Sequence, residues 1–478
     1  MVEQGTIELS RIKDSAAVEK IKFLLEENRL LRERIVLLEA EVARLKKNSS
    51  TSSKPPSSDI TKPAHEQRQP GERKIGGQAK HAGKSRTMLP PDKVDKTQEL
   101  KLEQCRECGD QLKETEDSEI LIQQTIELRE KPIEVTEYHR PGRWCDKCKK
   151  MHYADLPAGV IEDQLCGPRL QALIAYLKGH TGSYTELKQF CGDVLGFEVA
   201  RSTLCQIVAR ATKALTPPCQ ELEEHISKEE VLNIDESGWY DSGDRHWVWL
   251  FCTKQIAFFS IQPTRGCKVL REILGAAFEG AIISDFYSAY VCYASLRQQY
   301  CLAHLIRDIK FLTTLPDLVS KEFGERVLRC FKLLFRHWHE RDKIPREVFL
   351  KRCQRIQRRL FMLLTKADLP KGEALTMKKR LLKHWESLFR FIEQPELFEP
   401  TNNLAEQTMR FVVRIRRQTQ GSRSLWGRLW AGRIMSVLAT CRKQQRSPWQ
   451  FLLQAIQAQH FGSQYPSLLP ASSSGSTR

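Results

Sequence analysis

VLNIDESGW (residues 231–239) is the stretch on which the fold turns. An apolar run ends on Asp235, the pattern of a strand whose end carries a carboxylate. GAIISDFYSAY (280–290) repeats it, ending an apolar run on Asp285. Between them HWVWLFCTK and IAFFSIQ are further short apolar or alternating runs. A helix is expected near 267–278, and QQYCLAH supplies another short strand. Strands interleaved with helices, with acids at strand ends, predict a mixed α/β sheet. TNNLAEQ (401–407) then places Glu406 near the start of a predicted helix. Asp235, Asp285 and Glu406 together are the hard-oxygen donors with which a protein can hold two divalent ions at a scissile phosphate. Each also has a plainer reading: the two aspartates as turn or cap residues, and Asn403 with Glu406 as a capping box.

The rest of the chain can be tested against that chemistry. At 478 residues it is long enough for two to four domains, and 41% apolar residues suffice for real cores. A formal charge of +17 points to a polyanionic partner, most often nucleic acid. The start, MVEQGTIELSRIKD, lacks the apolar segment of a secretory signal. No run approaches the roughly 18 apolar residues of a membrane span. The 15 cysteines are then expected reduced in a cytoplasmic protein, and pairs of them point to metal rather than disulfides.

Residues 18–47 carry a heptad with Leu24, Leu31, Leu38 and Leu45 at d and Ile21, Asn28, Ile35 and Val42 at a. β-Branched residues at a, Leu at d and a single a-position Asn predict a two-stranded parallel coiled coil. The g-to-e′ pairs Glu27–Arg32, Arg34–Glu39 and Glu41–Lys46 are all opposite in sign, so a homodimer is expected. NSSTSSKPPSSD opens a flexible basic linker over 48–97 that decouples this handle from the domains after it. Residues 98–160 hold two CxxC pairs, Cys105 with Cys108 and Cys145 with Cys148, which suit one structural zinc in a ribbon-like region. Their 36-residue gap is long for such a site, and His139 and His152 are possible substitute ligands. ILIQQTIEL and IEVTEYHR are the expected ribbon strands. Residues 165–217 read as helices, with a possible helix-turn-helix whose groove helix is 202–215. A basic helical region over 305–395 follows the sheet, and the chain from 463 to 478 is expected to be disordered.

Two further features bear on chemistry. Residues 401–450 contain ten Lys or Arg and a single acid, Glu406. Arg410, Arg414 and Arg417 follow it at helical spacings, a pattern suited to phosphate contact. Trp426 and Trp430 are candidates for base stacking or for a core. YCLAHLIRD places Cys301 and His304 one CxxH apart. That spacing alone is a weak metal signal. His304 could touch a phosphate or activate water, or simply pack in a core.

The leucine heptads, the NSSTSSKPPSSD linker, the CxxC pairs, DESG, SDFYSAY, CLAH and TNNLAEQTMR, in this order, resemble the transposases of the insertion sequence 66 family. The resemblance covers nearly the whole chain. It implies a multidomain α/β protein with a ribonuclease H-like core over 228–304 and 396–462, interrupted by a helical insertion over 305–395. VLNIDESG followed by two apolar strands is also how such a sheet begins. The implied catalytic triad is Asp235, Asp285 and Glu406, holding two magnesium or manganese ions. The family's CxxH motif is matched by Cys301 and His304, and its Asn pair includes Asn403. The implied reaction is cleavage and joining of double-stranded DNA by direct phosphoryl transfer. The zinc region and helix-turn-helix would read the element's terminal repeats. Two small companion proteins from the same element are possible partners, and a bacterial, nucleoid-associated location is expected. Thr401 stands where many relatives have Asp. A non-catalytic DNA-binding regulator, or a nuclease that cuts without joining, are the competing readings.

Overall fold

The computed structural model describes residues 14–48, 51, 88–100, 102–104, 106–111, 121–293 and 297–470. They divide into two compact units, one of residues 1–63, 138–192 and 197–478, the other of residues 64–137 and 193–196.

The larger unit is built on a mixed five-stranded sheet, β3 (Val231–Asp241), β4 (Asp244–Cys252), β5 (Ala257–Gln262), β6 (Ala281–Ser284) and β7 (Gln298–Tyr300), in the order β5-β4-β3-β6-β7. Ser242 and Gly243, both at positive φ, close the β3–β4 hairpin in the sense that matches strand twist. The pairings β3–β4 and β4–β5 are antiparallel, whereas β3–β6 and β6–β7 are parallel. The crossovers to the parallel strands carry the short helices α6 (Lys268–Leu274) and α7 (Ser288–Tyr293). The expected mixed α/β architecture is therefore present.

Strand alternation gives the sheet two buried faces. Leu232, Ile234, Trp249 and Phe251 join the large core. Trp239, Val248, Leu250, Cys252 and Phe259 join a second one. That second face is roofed by α13 (Asn403–Thr419), through Ala405, Met409, Val412 and Ile415, and by α14 (Leu425–Lys443), through Ala431, Met435 and Ala439. Hydroxyls of α14 also satisfy the edge strand: Ser436 Oγ accepts from Phe259 N at 2.9 Å, and Thr440 Oγ1 from Ala257 N at 3.0 Å.

Helices α2 (Pro168–Thr181), α4 (Arg201–Ala214) and α5 (Thr216–Ile226) precede the sheet, with α3 (Tyr184–Asp193) between the first two, and α15 (Pro448–Phe461) packs on α2 and α4. Leu204, Ile207, Val208 and Ala211 of α4 are buried, while Arg201, Ser202, Cys205 and Gln206 are exposed. After β7 come α8 (Leu302–Leu312), α9 (Leu318–Glu340), α10 (Arg346–Lys366), α11 (Glu373–Lys383) and α12 (Trp385–Glu393). Gln299 ties β7 to α12 by donating to Leu388 O at 3.1 Å and accepting from Phe391 N at 3.1 Å.

The heptads lie on α1 (Ser15–Leu45), capped by Asp14. Leu24, Leu31, Leu38 and Leu45 are all exposed on it, Leu31 by 55%. The expected independence of this helix from the later domains is not observed. Arg44 pairs with Glu373 of α11 at 2.7 Å, and Lys47 lies 4.2 Å over the Phe311 ring of α8. The linker region 48–97 lies largely outside the described residues; 88–97 are exposed and irregular apart from one 3-10 turn at Pro91–Lys93.

Two further expectations are corrected. ILIQQTIEL and IEVTEYHR form no strands among the described residues, because Leu121, Ile126 and Val135 stay exposed and their alternation has no surface to bury against. Among the described residues of 98–160 the strands are β1 (Arg143–Cys145) and β2 (Lys150–His152), a short antiparallel hairpin. The end of the chain is ordered to residue 470. Leu468 is completely buried, its carbonyl accepts from Gln444 Nε2 at 2.8 Å, and Ser467 Oγ donates to Glu221 at 2.7 Å. The rest of the expected tail, 471–478, lies outside the described residues.

Candidate active site

The parallel register sets the first two acids side by side. Asn233 of β3 pairs with Ile283 of β6, so Asp235 and Asp285 each stand two residues further along, at the carboxyl end of the parallel pair. Open α/β sheets build their sites at such strand ends. Asp235 Oδ1 accepts the Glu236 N–H at 3.0 Å, and Asp285 Oδ1 accepts the Tyr287 N–H at 2.9 Å. Burial and the neighbouring Glu236 and Asp285 push Asp235 well above the usual carboxylate range, and Glu406 adds to this. Burial and Glu236 likewise push Asp285 up to about 6.

Glu406 reaches the same place from α13. The capping box does not form: the N-cap residue is Asn402, its side chain makes no cap bond, and Asn403 is exposed. Glu406 Oε1 instead faces His304 Nδ1 at 3.5 Å. Both atoms are buried, and neither has a hydrogen-bond partner among the described residues. Burial raises the Glu406 carboxyl against the pull of Arg307 and Arg410, while burial and Arg307 lower His304. Cys301, the cap residue of α8, is fully buried, and burial pushes its thiol up to about 11. Ligand atoms of Cys301, His304 and Glu406 lie within 4.8 Å of one another.

Several residues absent from the sequence-based site take part. Glu236, on the opposite face of β3 from Asp235, has a side chain only 1% exposed. It accepts from Arg265 Nε at 2.8 Å and from the Tyr290 hydroxyl. Arg265 in turn lies 3.6 Å over the Tyr287 ring. Asn402 is 1% exposed and bridges to β3: it donates to Ile234 O at 2.8 Å and accepts from Asn233 Nδ2 at 2.9 Å. The only sequence signal for these was the acidic doublet in DESG and the asparagine doublet in TNNLAEQ.

Arg410, Arg414 and Arg417 are exposed on α13, whereas Arg416 turns inward to Ser237 Oγ at 3.1 Å. Trp430 is a core residue and Trp426 is half exposed. In the β1–β2 hairpin, ligand atoms of Cys145, Cys148 and His152 lie within 4.8 Å of one another, and hydrogen bonding from Cys148 lowers the Cys145 thiol. Cys108 is exposed in the other unit, and Cys105 lies outside the described residues.

Among the described residues no helix is long and apolar enough to cross a membrane. No curated protein matches the chain. A family of unknown function (DUF6444) matches residues 8–87. The sequence model of the Transposase IS66 family matches residues 163–428, a span that takes in the sheet, the helices between β7 and α13, and all three acids. On that match the chain belongs to the IS66 family of transposases.

Proposed function

We propose that this transposase binds the terminal inverted repeats of its element and cuts and joins DNA at a site made by Asp235, Asp285 and Glu406. One observation carries the proposal: the parallel register sets Asp235 and Asp285 side by side at one end of β3 and β6, and α13 brings Glu406 to His304 at 3.5 Å beside them, where Asp285 and Glu406 both raise Asp235. The strand order and the return of α13 onto the sheet support a ribonuclease H-like core interrupted by a helical insertion. The residues present fit divalent ions. Asp285 and Glu406 both raise Asp235, which a cation would relieve, and Glu406 Oε1 and His304 Nδ1 are buried without partners among the described residues. Bound magnesium or manganese would supply positive charge at the scissile phosphate and acidify the attacking hydroxyl.

The chain's own groups do the rest. Asp235, the acid that the other two both influence, would hold the ions together with Asp285 and Glu406. His304, kept neutral by burial and Arg307, can take a proton from the attacking water or 3′-hydroxyl. Arg410, Arg414 and Arg417 would hold the DNA backbone alongside. No covalent protein intermediate is needed. Cys145, Cys148 and His152 of the β1–β2 hairpin would be ligands of a structural zinc. Pairing of α1 with a second copy would bring two element ends together.

The test is cleavage and joining of labelled DNA carrying the element's terminal repeats, with magnesium or manganese, and a circular target. Wild type is expected to cut and join. Glu406→Gln and Asp235→Ala are expected to bind the repeats with unchanged affinity and to lose at least about a thousandfold in cleavage. Cutting without joined products would reduce the assignment to a nuclease. Binding without cutting by wild type would favour the regulator.

A further inference from the structure

Asp235, His304 and Glu406 come from three remote segments, and a single side chain and its backbone reach all three. Asn402 is the last residue before α13. Its carbonyl accepts the Glu406 N–H at 3.1 Å, so it starts the turn that carries Glu406. Its own N–H donates to Cys301 Sγ at 3.2 Å, three residues before His304. Its side chain donates to Ile234 O, the residue before Asp235, and accepts from Asn233, one residue earlier still. The neighbouring Pro400 carbonyl accepts from Leu302 N at 2.8 Å, and Cys301 N donates to Ser284 O, beside Asp285, at 2.7 Å.

The side chain's usual task at this position would be to cap the helix. Here it makes no cap bond and both ends of the amide are used on β3. Both its donor and its acceptor are satisfied in a buried setting, which fixes geometry more tightly than an exposed bond would. We infer that Asn402 is a positioning residue, which with Cys301 as its thiol acceptor sets the separation of Glu406 from Asp235 and of both from His304. It touches no substrate and holds no ion. Cys301 then has a use as a hydrogen-bond acceptor at the hub. The inference rests on the proposed metal site.

Outer partners of metal ligands typically contribute about ten- to a hundredfold in metal affinity. The full chain is titrated with Mn2+ and the free ion followed by electron paramagnetic resonance, below the melting range of every variant. Asn402→Ala is expected to weaken Mn2+ binding by about tenfold or more while leaving affinity for the terminal repeats unchanged. Asn233→Ala, which removes only one of the bonds, is expected to shift it less and in the same direction. It also carries the test if Asn402→Ala does not fold. A purely structural residue would lower the melting temperature without moving the titration. Unchanged Mn2+ binding in both variants, beside weakened binding in Glu406→Gln, overturns the inference and leaves the proposed site standing. Unchanged binding in Glu406→Gln overturns both.

Discussion

Asp285 has a carboxyl pushed up to about 6, against an ordinary 3.8, by burial and by Glu236. Because the folded value lies above the unfolded one, the proton stabilises the fold. That contribution is complete below about pH 3.8 and disappears as pH rises through 6. At neutral pH the metal-free protein keeps crowded charges that a divalent ion would neutralise. Added magnesium is therefore expected to raise the melting temperature at about pH 7.5 and to have little effect at about pH 5, where the proton competes. Asp285→Asn should weaken this pH dependence, as thermal unfolding with and without magnesium would reveal. An equal magnesium effect at both pH values would remove Asp285 from the proposed metal site. At this scale the sequence was partly legible. The acids Asp235 and Asp285 stood out because each ended an apolar run. Glu236 did not, since its role depends on Arg265 and on Tyr290, partners 29 and 54 residues away. Nor could a doublet of asparagines say which of the two is buried; it is Asn402, not Asn403.

At the level of elements, strands β3 to β6 were legible because their apolar runs are buried on both faces, as sheet strands under helices must be. ILIQQTIEL alternates equally well and forms no strand among the described residues, so alternation predicts a strand only where a second layer exists to cover it. The connection from α13 to α14 was not legible at all. It is stitched to the tip of the β3–β4 hairpin: Ser422 N donates to Tyr240 O at 2.9 Å, Ser242 N to Ser422 O at 2.8 Å, and Trp239 Nε1 to Ser422 Oγ at 3.0 Å. Gly421 sits there at φ +109°, and a Cβ would collide with the Tyr240 carbonyl. Gly421→Ala thus meets both a forbidden conformation and a clash with backbone. It is expected to cost on the order of 2 kcal/mol or more, seen as a lower melting temperature, and to lower cleavage by loosening the far end of α13. Wild-type stability in that variant would mean that the stitch is dispensable.

At the scale of the molecule, α1 is a long helix with no buried residue, and its leucine seam is exposed throughout. Such a stripe calls for a partner of the same kind. Leu31→Glu with Leu38→Glu is expected to convert a dimer into a monomer in light scattering. Affinity for a single repeat should be preserved while joining of two ends is lost. A monomeric wild type would remove the zipper from the account. Arg44 in the last turn of α1 touches α11, and Lys47 just beyond it touches α8, so pairing of two seams would fix these helices of the two copies relative to one another as well as the ends they hold.

Asn233 and Asn402 are hydrogen-bonded across 169 residues. On a ribosome, β3 with Asp235 and β6 with Asp285 just past its end emerge long before the helix bearing Glu406, with five α-helices between β7 and α13. On the proposed reading a nascent chain would pair its α1 seam while its cutting site is still incomplete. If the three acids form the cutting site, synthesis itself would act as a safety catch, released only when residue 402 has closed over β3. A message broken between β7 and α13 would then yield a fragment able to pair through α1 yet unable to contribute a third acid.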